Sequence, residues 1–180
     1  MKKTEINSEI LKVFQTSNSP DLLFDTFRAA IDKKVNDIDM YTALLWNKAL
    51  SNDEIIMYAE KICKEIPEYK SKIYLTVAKI FDSASLYGDN KELSFNYIKK
   101  AAAAEETSIE PYIVLFEIYN KELNLPPFEK IANFLEQGVE FVNEKSKLNF
   151  MIARLYGKVG QIEKGKNYQK IGEEYQRKGQ

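Results

Sequence analysis

Residues Ser71–Phe81 read SKIYLTVAKIF, and the same pattern returns at Ile109–Tyr119 (IEPYIVLFEIY) and at Ser146–Tyr156 (SKLNFMIARLY). The starts of the three segments lie 38 and 37 residues apart. Each segment spaces its apolar residues three or four positions apart, which predicts a helix. A period of about 20 to 50 residues is typical of stacked helical units that share one continuous core. The repeat therefore predicts an all-α array of helical hairpins.

Composition excludes several classes of function. The 180 residues include 26 basic and 27 acidic side chains, a net charge of -1. This balance argues against a nucleic-acid surface and against electrostatic docking on an anionic membrane. Histidine is absent and Cys63 is the only cysteine, which excludes Ser-His-Asp and Cys-His catalysis and an internal disulfide. We expect no enzymatic activity, no cofactor and no metal site.

The chain start indicates the expected compartment. MKKTEINSEI carries two lysines but no apolar segment, so it does not read as a signal peptide. No apolar run approaches the ~20 residues of a membrane span. We expect a cytoplasmic protein, with the periplasm as the alternative if Met1 is an artificial start.

Proline, glycine and capping residues punctuate the apolar segments and predict ten helices. The chain shows no alternation of period two that is long enough for a strand. Where both ends can be read, the helices are predicted at about Asn7–Thr16, Asp37–Leu50, Glu68–Leu86, Lys91–Glu105 and Glu144–Val159. The second helix is predicted to start at Ser19-Pro20, and the fourth to run from the cap at Ser51 to near Pro67. The seventh starts at Thr107 or Ser108 with Pro111 in its first turn. The eighth starts at Pro126-Pro127 and ends near Val142, and the tenth follows Gly160.

The spacing of small and aromatic residues resembles the tetratricopeptide repeat. That family places a small residue eighth and an aromatic residue eleventh in each repeat. The last repeat fits best, because LYGKVGQIEKGKNY from Leu155 to Tyr168 follows the family's spacing without a gap. The corresponding residues are Ala78, Phe116 and Ala153 at the eighth place, and Phe81, Tyr119 and Tyr156 at the eleventh.

The resemblance implies a right-handed superhelix of about five antiparallel hairpins. Residues 1–35 form an atypical capping pair, and the array comprises residues 36–180, divided at about 36–70, 71–108, 109–145 and 146–180. The copy that starts at Asn36 is weaker and has Ala43, Leu45 and Trp46 at the eighth, tenth and eleventh places. Phe116 replaces a small residue, so we expect it to wedge its hairpin apart.

A binding groove follows from the resemblance, because the first helix of each repeat in this family lines a concave face. The fifth places are all apolar although we expect them to be exposed, and an exposed apolar stripe is typical of a binding surface. The alternative is that the stripe is core. The candidate groove residues are Met40, Leu75, Lys79, Ile113, Glu117, Phe150 and Arg154.

The function that the resemblance implies is protein binding without catalysis. Related repeats clamp a carboxylate terminus with lysine and asparagine at the fifth and ninth places. That clamp is absent, because these places hold Leu75 with Lys79, Ile113 with Glu117, and Phe150 with Arg154. We therefore expect the chain to be a scaffold that binds an apolar protein segment of unidentified origin on its concave face. The alternative is an accessory helical domain that positions a catalytic or redox domain of a larger protein. A weak homodimer stays open.

Two further features favour structural roles. Cys63 occupies a place that favours a small residue, and we expect it to be buried and unreactive. Glu105, Glu106 and Glu110 are expected to be solvated surface rather than a metal site, because neighbouring residues on a helix do not face each other.

Overall fold

The computed structural model describes residues 2–84, 88–119 and 126–179, which form ten α-helices and one short 3-10 helix without any strand. The all-α prediction is confirmed. The 3-10 helix, Pro67–Tyr69, lies between the fourth and fifth α-helices. The α-helices are α1 Lys2–Thr16, α2 Pro20–Asp32, α3 Ile38–Leu45, α4 Asn52–Glu65, α5 Lys70–Ala84, α6 Gly88–Ala104, α7 Glu110–Ile118, α8 Phe128–Gly138, α9 Lys145–Lys158 and α10 Ile162–Arg177.

Two helix starts follow the predicted caps, whereas the N-cap of α7 is Ile109 without a side-chain hydrogen bond, so the predicted cap at Thr107 or Ser108 is wrong. Ser19 accepts a hydrogen bond from the Leu22 amide at the start of α2. Ser51 and Glu54 form a capping box at the start of α4, in which the Ser51 hydroxyl accepts from the Glu54 amide and the Glu54 carboxylate accepts from the Ser51 amide. These side chains satisfy amides that have no partner inside the helix.

Several helix ends differ from the predictions. α3 ends at Leu45 instead of Leu50, because the buried Asn47 side chain donates to the carbonyl oxygens of Phe14 and Ser17 at 2.8 and 3.0 Å. This tie to the end of α1 competes with continued helix. α8 ends at Gly138 instead of Val142, and α6 starts at Gly88 instead of Lys91. The predicted end of the fifth helix at Leu86 lies outside the described residues.

The chain divides into two compact units, residues 1–80 and 81–180, and the division falls within α5. In the first unit α3 packs against α1 and α4. Its aromatic core places the ring of Phe27 edge-on to Tyr58, with 4.7 Å between the centroids. The Tyr41 hydroxyl donates to the carbonyl oxygen of Val35, and burial raises the pKa of Tyr41 to about 12. Cys63 is buried, as predicted.

In the second unit, α6 packs on α7, and α8 and α9 contact each other. The last turn of α5 lies beside α6, where Phe81 contacts Tyr97 at 5.8 Å between ring centroids. The ammonium group of Lys91 forms an ion pair with Asp82 and also donates to its carbonyl oxygen. The Lys91 side chain is only 9% exposed, so this pair replaces apolar packing at the junction of α5 and α6.

The aromatic eleventh place is buried in three of the four copies, and the small eighth place is buried in the two copies that contain Ala78 and Ala153. Ala78 and Ala153 are buried, as predicted for the eighth place. The aromatic residues at the eleventh place are buried in the copies that contain Phe81, Tyr119 and Tyr156. Trp46 differs, because it follows the early end of α3 and is 47% exposed. The weaker copy therefore keeps the helix but not the aromatic packing.

Candidate functional site

The candidate groove residues of the first unit are mostly core. Met40 is 2% exposed and Leu75 is 9% exposed, so the prediction that these fifth places are exposed is wrong. α3 is packed by α1 on one side and α4 on another, which leaves Met40 no free face. Lys79 is exposed on α5.

The candidate residues of the second unit remain accessible. Ile113 and Phe150 are partly exposed, and Glu117 and Arg154 are exposed. Ile113 lies on α7 and is not among the described residues that line the clefts of the last hairpin. Phe150 and Arg154 line two clefts of the last hairpin, which makes this hairpin the best candidate site.

Phe150 forms one wall of the first cleft, at the start of α9 and the end of α10. Its ring packs on Gly172, where a Cβ atom in place of the glycine hydrogen would lie 2.7 Å from the ring. The Ser146 hydroxyl donates to the Gly172 carbonyl oxygen at 3.0 Å. Glycine thus lets α10 approach Phe150 closely. The other residues that line this cleft are Asn143, Glu144, Lys147, Gln176 and Gly179.

The second cleft lies at the opposite end of the same two helices. A Cβ atom on Gly165 would lie 3.0 Å from the carbonyl oxygen of Ala153, so α9 and α10 are in close contact here as well. A Cβ atom on Gly157 would meet nothing within 4 Å. The cleft is open where this side chain is missing. It is also lined by Arg154, Ile162, Lys166, Gln169, Lys170 and Glu173.

The two clefts follow one surface. Phe150, Arg154 and Gly157 are spaced by four and three residues and share a face of α9. Five cleft residues of α10, from Ile162 to Gln176, are spaced by four, three, four and three and share a face of α10, and Gly165 and Lys170 lie beside them. The contacts of Phe150 with Gly172 and of Ala153 with Gly165 make the helices antiparallel. We call this surface the α9/α10 seam. Its α10 residues are Ile162, Lys166, Gln169, Glu173 and Gln176.

Phe116 borders the seam on the side of α7. The guanidinium of Arg154 lies 5.2 Å from the centre of its ring, and the ammonium group of Lys158 lies 4.4 Å from it. The ring is half-buried. The described partners of the Phe116 ring are therefore two cations of α9. These contacts do not include the predicted insertion of the ring between α7 and α8. The cation–π contact with Phe116 keeps the Arg154 guanidinium at the edge of the seam.

A carboxylate and two tyrosines fix α8, α9 and α10 behind the seam. Tyr156 and Tyr168 both donate to the same oxygen of Glu136, at 2.6 and 2.8 Å. Their rings are stacked at 5.7 Å, and the ring of Phe128 meets Tyr156 edge-on. Burial and the hydrogen bond to Glu136 raise the pKa of Tyr168 to about 12, and burial likewise raises that of Tyr156.

The last hairpin is strongly basic, although the chain as a whole is not. Residues 145–180 contain nine basic and three acidic side chains, a net charge of +6, so residues 1–144 carry -7. The total of -1 conceals this asymmetry. Counting charge by repeat would have pointed to this hairpin. The glycine at position 157, inside the helix predicted over Glu144–Val159, was the other signal present in the sequence.

A third cleft of the second unit lies between α6, α7 and α8. Tyr112 stacks on Phe134 with 5.0 Å between centroids, and Phe141 stands at the rim with 52% of its surface exposed. Lys99, Glu106 and Gln137 also line it. This cleft offers an exposed phenylalanine away from the seam.

The described parts of the chain contain neither a cluster that could bind a metal ion nor a helix that could span a membrane. No group of three or more Cys, Asp or Glu residues there could hold a metal ion. Glu105, Glu106 and Glu110 are exposed. None of the helices in residues 2–84, 88–119 and 126–179 is both long and apolar enough to cross a lipid bilayer.

Comparison with known proteins adds no family assignment. No protein-family model matches the sequence, and neither a curated protein nor a solved structure matches it significantly.

Proposed function

We propose that the chain is a non-enzymatic scaffold that binds a protein segment, and that the segment docks on the α9/α10 seam with Phe150 as its main anchor. The observation that carries this proposal is the cleft beside Phe150, where a large aromatic side chain stays partly exposed against a glycine. Aromatic residues in such clefts tend to provide much of the energy of an interface.

The proposed site is narrower than the groove that the sequence predicts. Met40 and Leu75 are buried and contribute to stability instead of binding. Phe150 and Arg154 are retained, because both line the clefts of the last hairpin. Ile113 and Glu117 are accessible on α7 and would contact a segment long enough to reach beyond α9.

The proposal includes a tetratricopeptide-like repeat architecture with a right-handed superhelical order of hairpins. It is supported by the buried small residues Ala78 and Ala153 at the eighth place, and by the buried aromatic residues at the eleventh place in the repeats that start at Ser71, Ile109 and Ser146. It is also supported by contacts of α9 with α7, α8 and α10, since consecutive repeats in such arrays pack on their neighbours.

Selection from a library of random peptides displayed on phage tests the binding function. We expect peptides selected on the wild-type chain to contain large apolar residues, and to lose at least about tenfold in affinity for Phe150→Ala. Phe141→Ala is the matched control, because it removes another partly exposed phenylalanine away from the seam. Circular dichroism and thermal melting show whether each variant is folded.

The proposal fails if the selected peptides bind folded Phe150→Ala as well as they bind wild type. It also fails if the Phe141→Ala variant loses the peptides instead, which would place binding in the cleft of α6, α7 and α8. If no peptide is enriched, protein binding by this chain is contradicted.

A further inference from the structure

No contact within the hairpin explains why residue 157 is a glycine. It lies within α9 with an exposed backbone and open space where a side chain would be. Glycine inside a helix is less stable than alanine. Gly165 and Gly172 are explained by close contacts between the helices, but Gly157 is not. A glycine in such a position permits close approach of something outside the hairpin.

The charges along the seam indicate what approaches. Arg154, Lys166 and Lys170 border the end of the seam that contains Gly157, and Glu173 is the acid that lines that cleft. Lys166 also forms an exposed ion pair with Glu163 at 2.9 Å, which is weak enough for Lys166 to meet another acid. The floor consists of Ala153, Gly157 and Gly165, with Ile162 53% exposed beside them. An occupant needs a narrow apolar stripe for the floor and negative charge for the rim.

The shape of the seam favours a helix. Its residues follow one face of α9 and one face of α10 over the length of both helices. A third helix packs into the groove between two helices when small residues allow close approach. The 14 residues of α9 span about 21 Å at 1.5 Å per residue, which an occupant of similar length would match.

A second copy and a nucleic acid fit these observations less well. Two copies pairing α10 across a twofold axis would bring Lys166 and Lys170 of both chains together, which is repulsive. Nucleic acid needs cations along a continuous path, but the ammonium groups of Lys145, Lys158, Lys164 and Lys178, outside the seam, lie over aromatic rings. The apolar floor also offers nothing to a phosphate.

We infer that the α9/α10 seam binds an amphipathic helix of a partner protein, whose apolar stripe packs on Gly157, Ala153 and Phe150 and whose acidic residues face Arg154, Lys166 and Lys170. This inference rests on the proposed function and names the class of partner. The acidic residues lie at the end of the occupant that is closest to Gly157.

A helix-biased phage library tests this inference. Leu and Ala are fixed at helical spacing over about 16 residues, the length that covers α9. The flanking positions are randomised among Glu, Lys and Gln. We expect Glu to be enriched on the wild-type chain. On the Lys166→Glu, Lys170→Glu double variant the enrichment should disappear or turn toward Lys.

The Gly157→Trp variant tests close approach directly. Its side chain enters open space, so the variant should stay folded while enriched peptides lose at least about tenfold in affinity. Gly157→Ala, which adds one methyl group, should lose less. Circular dichroism of the complex should show that the peptide gains helix on binding.

Each contrary result has a distinct meaning. The acidic helix is overturned if the flanking positions of the library show no preference or favour Lys. It is also overturned if Gly157→Trp leaves peptide binding unchanged. Neither result affects the Phe150-dependent binding of random peptides on which the proposed function rests. Loss of that Phe150 dependence would overturn the proposed function as well. Tight binding of a fluorescent single-stranded oligonucleotide at physiological salt, abolished by the double charge reversal, would assign the basic surface to nucleic acid and overturn the inference.

Discussion

Three glycines of the last hairpin have different surroundings, and the difference predicts opposite effects of the same substitution. Gly157→Ala should raise the free energy of unfolding by about 0.5–1 kcal/mol, because alanine restricts the unfolded chain and its methyl group meets nothing. Gly172→Ala should lower it by about 1–3 kcal/mol, because the methyl group overlaps the Phe150 ring. Chemical denaturation of each variant measures both changes.

Gly165→Ala serves as the intermediate case in this series. Its Cβ atom would lie 3.0 Å from a backbone oxygen, which can move less easily than a side chain. We expect it to destabilise the protein. Equal effects of all three substitutions would mean that the spacing of α9 and α10 differs from the one described.

The tyrosines on Glu136 predict a loss of stability in alkali. Tyr168 has its pKa raised to about 12 from the usual 10.0, so the folded state holds the proton more tightly than the unfolded state. This contribution is complete below pH 10 and is lost as the pH rises toward 12. The melting temperature should fall over this range, and it should fall less steeply in Tyr168→Phe. Parallel curves for the two proteins would contradict the assignment.

At the scale of elements, Tyr156 connects three helices. It contacts Phe128 and Glu136 on α8 and Tyr168 on α10 while lying on α9 itself. Tyr156→Ala should destabilise the protein by about 3 kcal/mol or more, because it opens a cavity among buried rings. Tyr156→Phe is the control that keeps the ring and removes only the hydroxyl. Thermal melting that shows the same stability for Tyr156→Ala and wild type would mean that the ring is not packed.

The capping box of α4 gives an independent prediction in the first unit. Ser51→Ala should cost about 1 kcal/mol, because the Glu54 amide loses the hydroxyl that accepts its hydrogen bond. The hydrogen bond from the Ser51 amide also lowers the pKa of Glu54. This contribution is present above the unfolded pKa near 4.5 and is lost as the pH falls through the folded value. Ser51→Ala keeps this backbone hydrogen bond but removes the one from the Ser51 hydroxyl to the Glu54 carboxylate. The difference between urea melts of wild type and Ser51→Ala should therefore narrow, without vanishing, as the pH is lowered below about 4.

Helix positions were predictable because they depend on local signals. Ser19 and Ser51 cap helices, and the spacing of apolar residues identifies their buried faces. The end of α3 was not predictable, since Asn47 bonds to Phe14 and Ser17, which lie 33 and 30 residues earlier in the chain. The burial of Met40 was unpredictable for the same reason, because it depends on the packing of α1 against α3. Long-range packing of this kind leaves no periodic signal.

The candidate site was only partly predictable for the same reason. Phe150 and Arg154 were identified through their places in the repeat, and both line the clefts of the last hairpin. Gly157, Lys166 and Lys170 were not identified, because their importance depends on two helices lying side by side. The position of Gly157 in open space is visible only in three dimensions.

For the whole molecule, the uneven distribution of charge predicts behaviour that the net charge does not. The wild-type chain should be retained weakly on a cation-exchange resin at pH 7 and low salt, although its net charge is -1, because the last hairpin is a local basic surface. Lys166→Glu with Lys170→Glu should abolish retention. Lys70→Glu with Lys72→Glu brings the chain to the same net charge of -5 and should preserve more of it.

Equal elution of the two double variants would show that the resin responds to total charge alone. In that case the basic side chains of residues 145–180 would not act together as a surface. Retention that disappears at moderate salt is expected in either case, since ions screen such interactions over about 10 Å at 0.1 M.

The half-exposed Trp46 decides what fluorescence spectroscopy can report about this protein. It is the only tryptophan of the chain and belongs to the first unit, whereas the seam lies in the second. A side chain 47% exposed already emits from a largely aqueous environment, so its emission maximum should shift little when the chain unfolds. Emission from Trp46, excited at wavelengths too long for tyrosine, should therefore report neither the melting of α9 and α10 nor the docking of a ligand between them. The fluorescence signal for that hairpin must come from its tyrosines or from an attached dye.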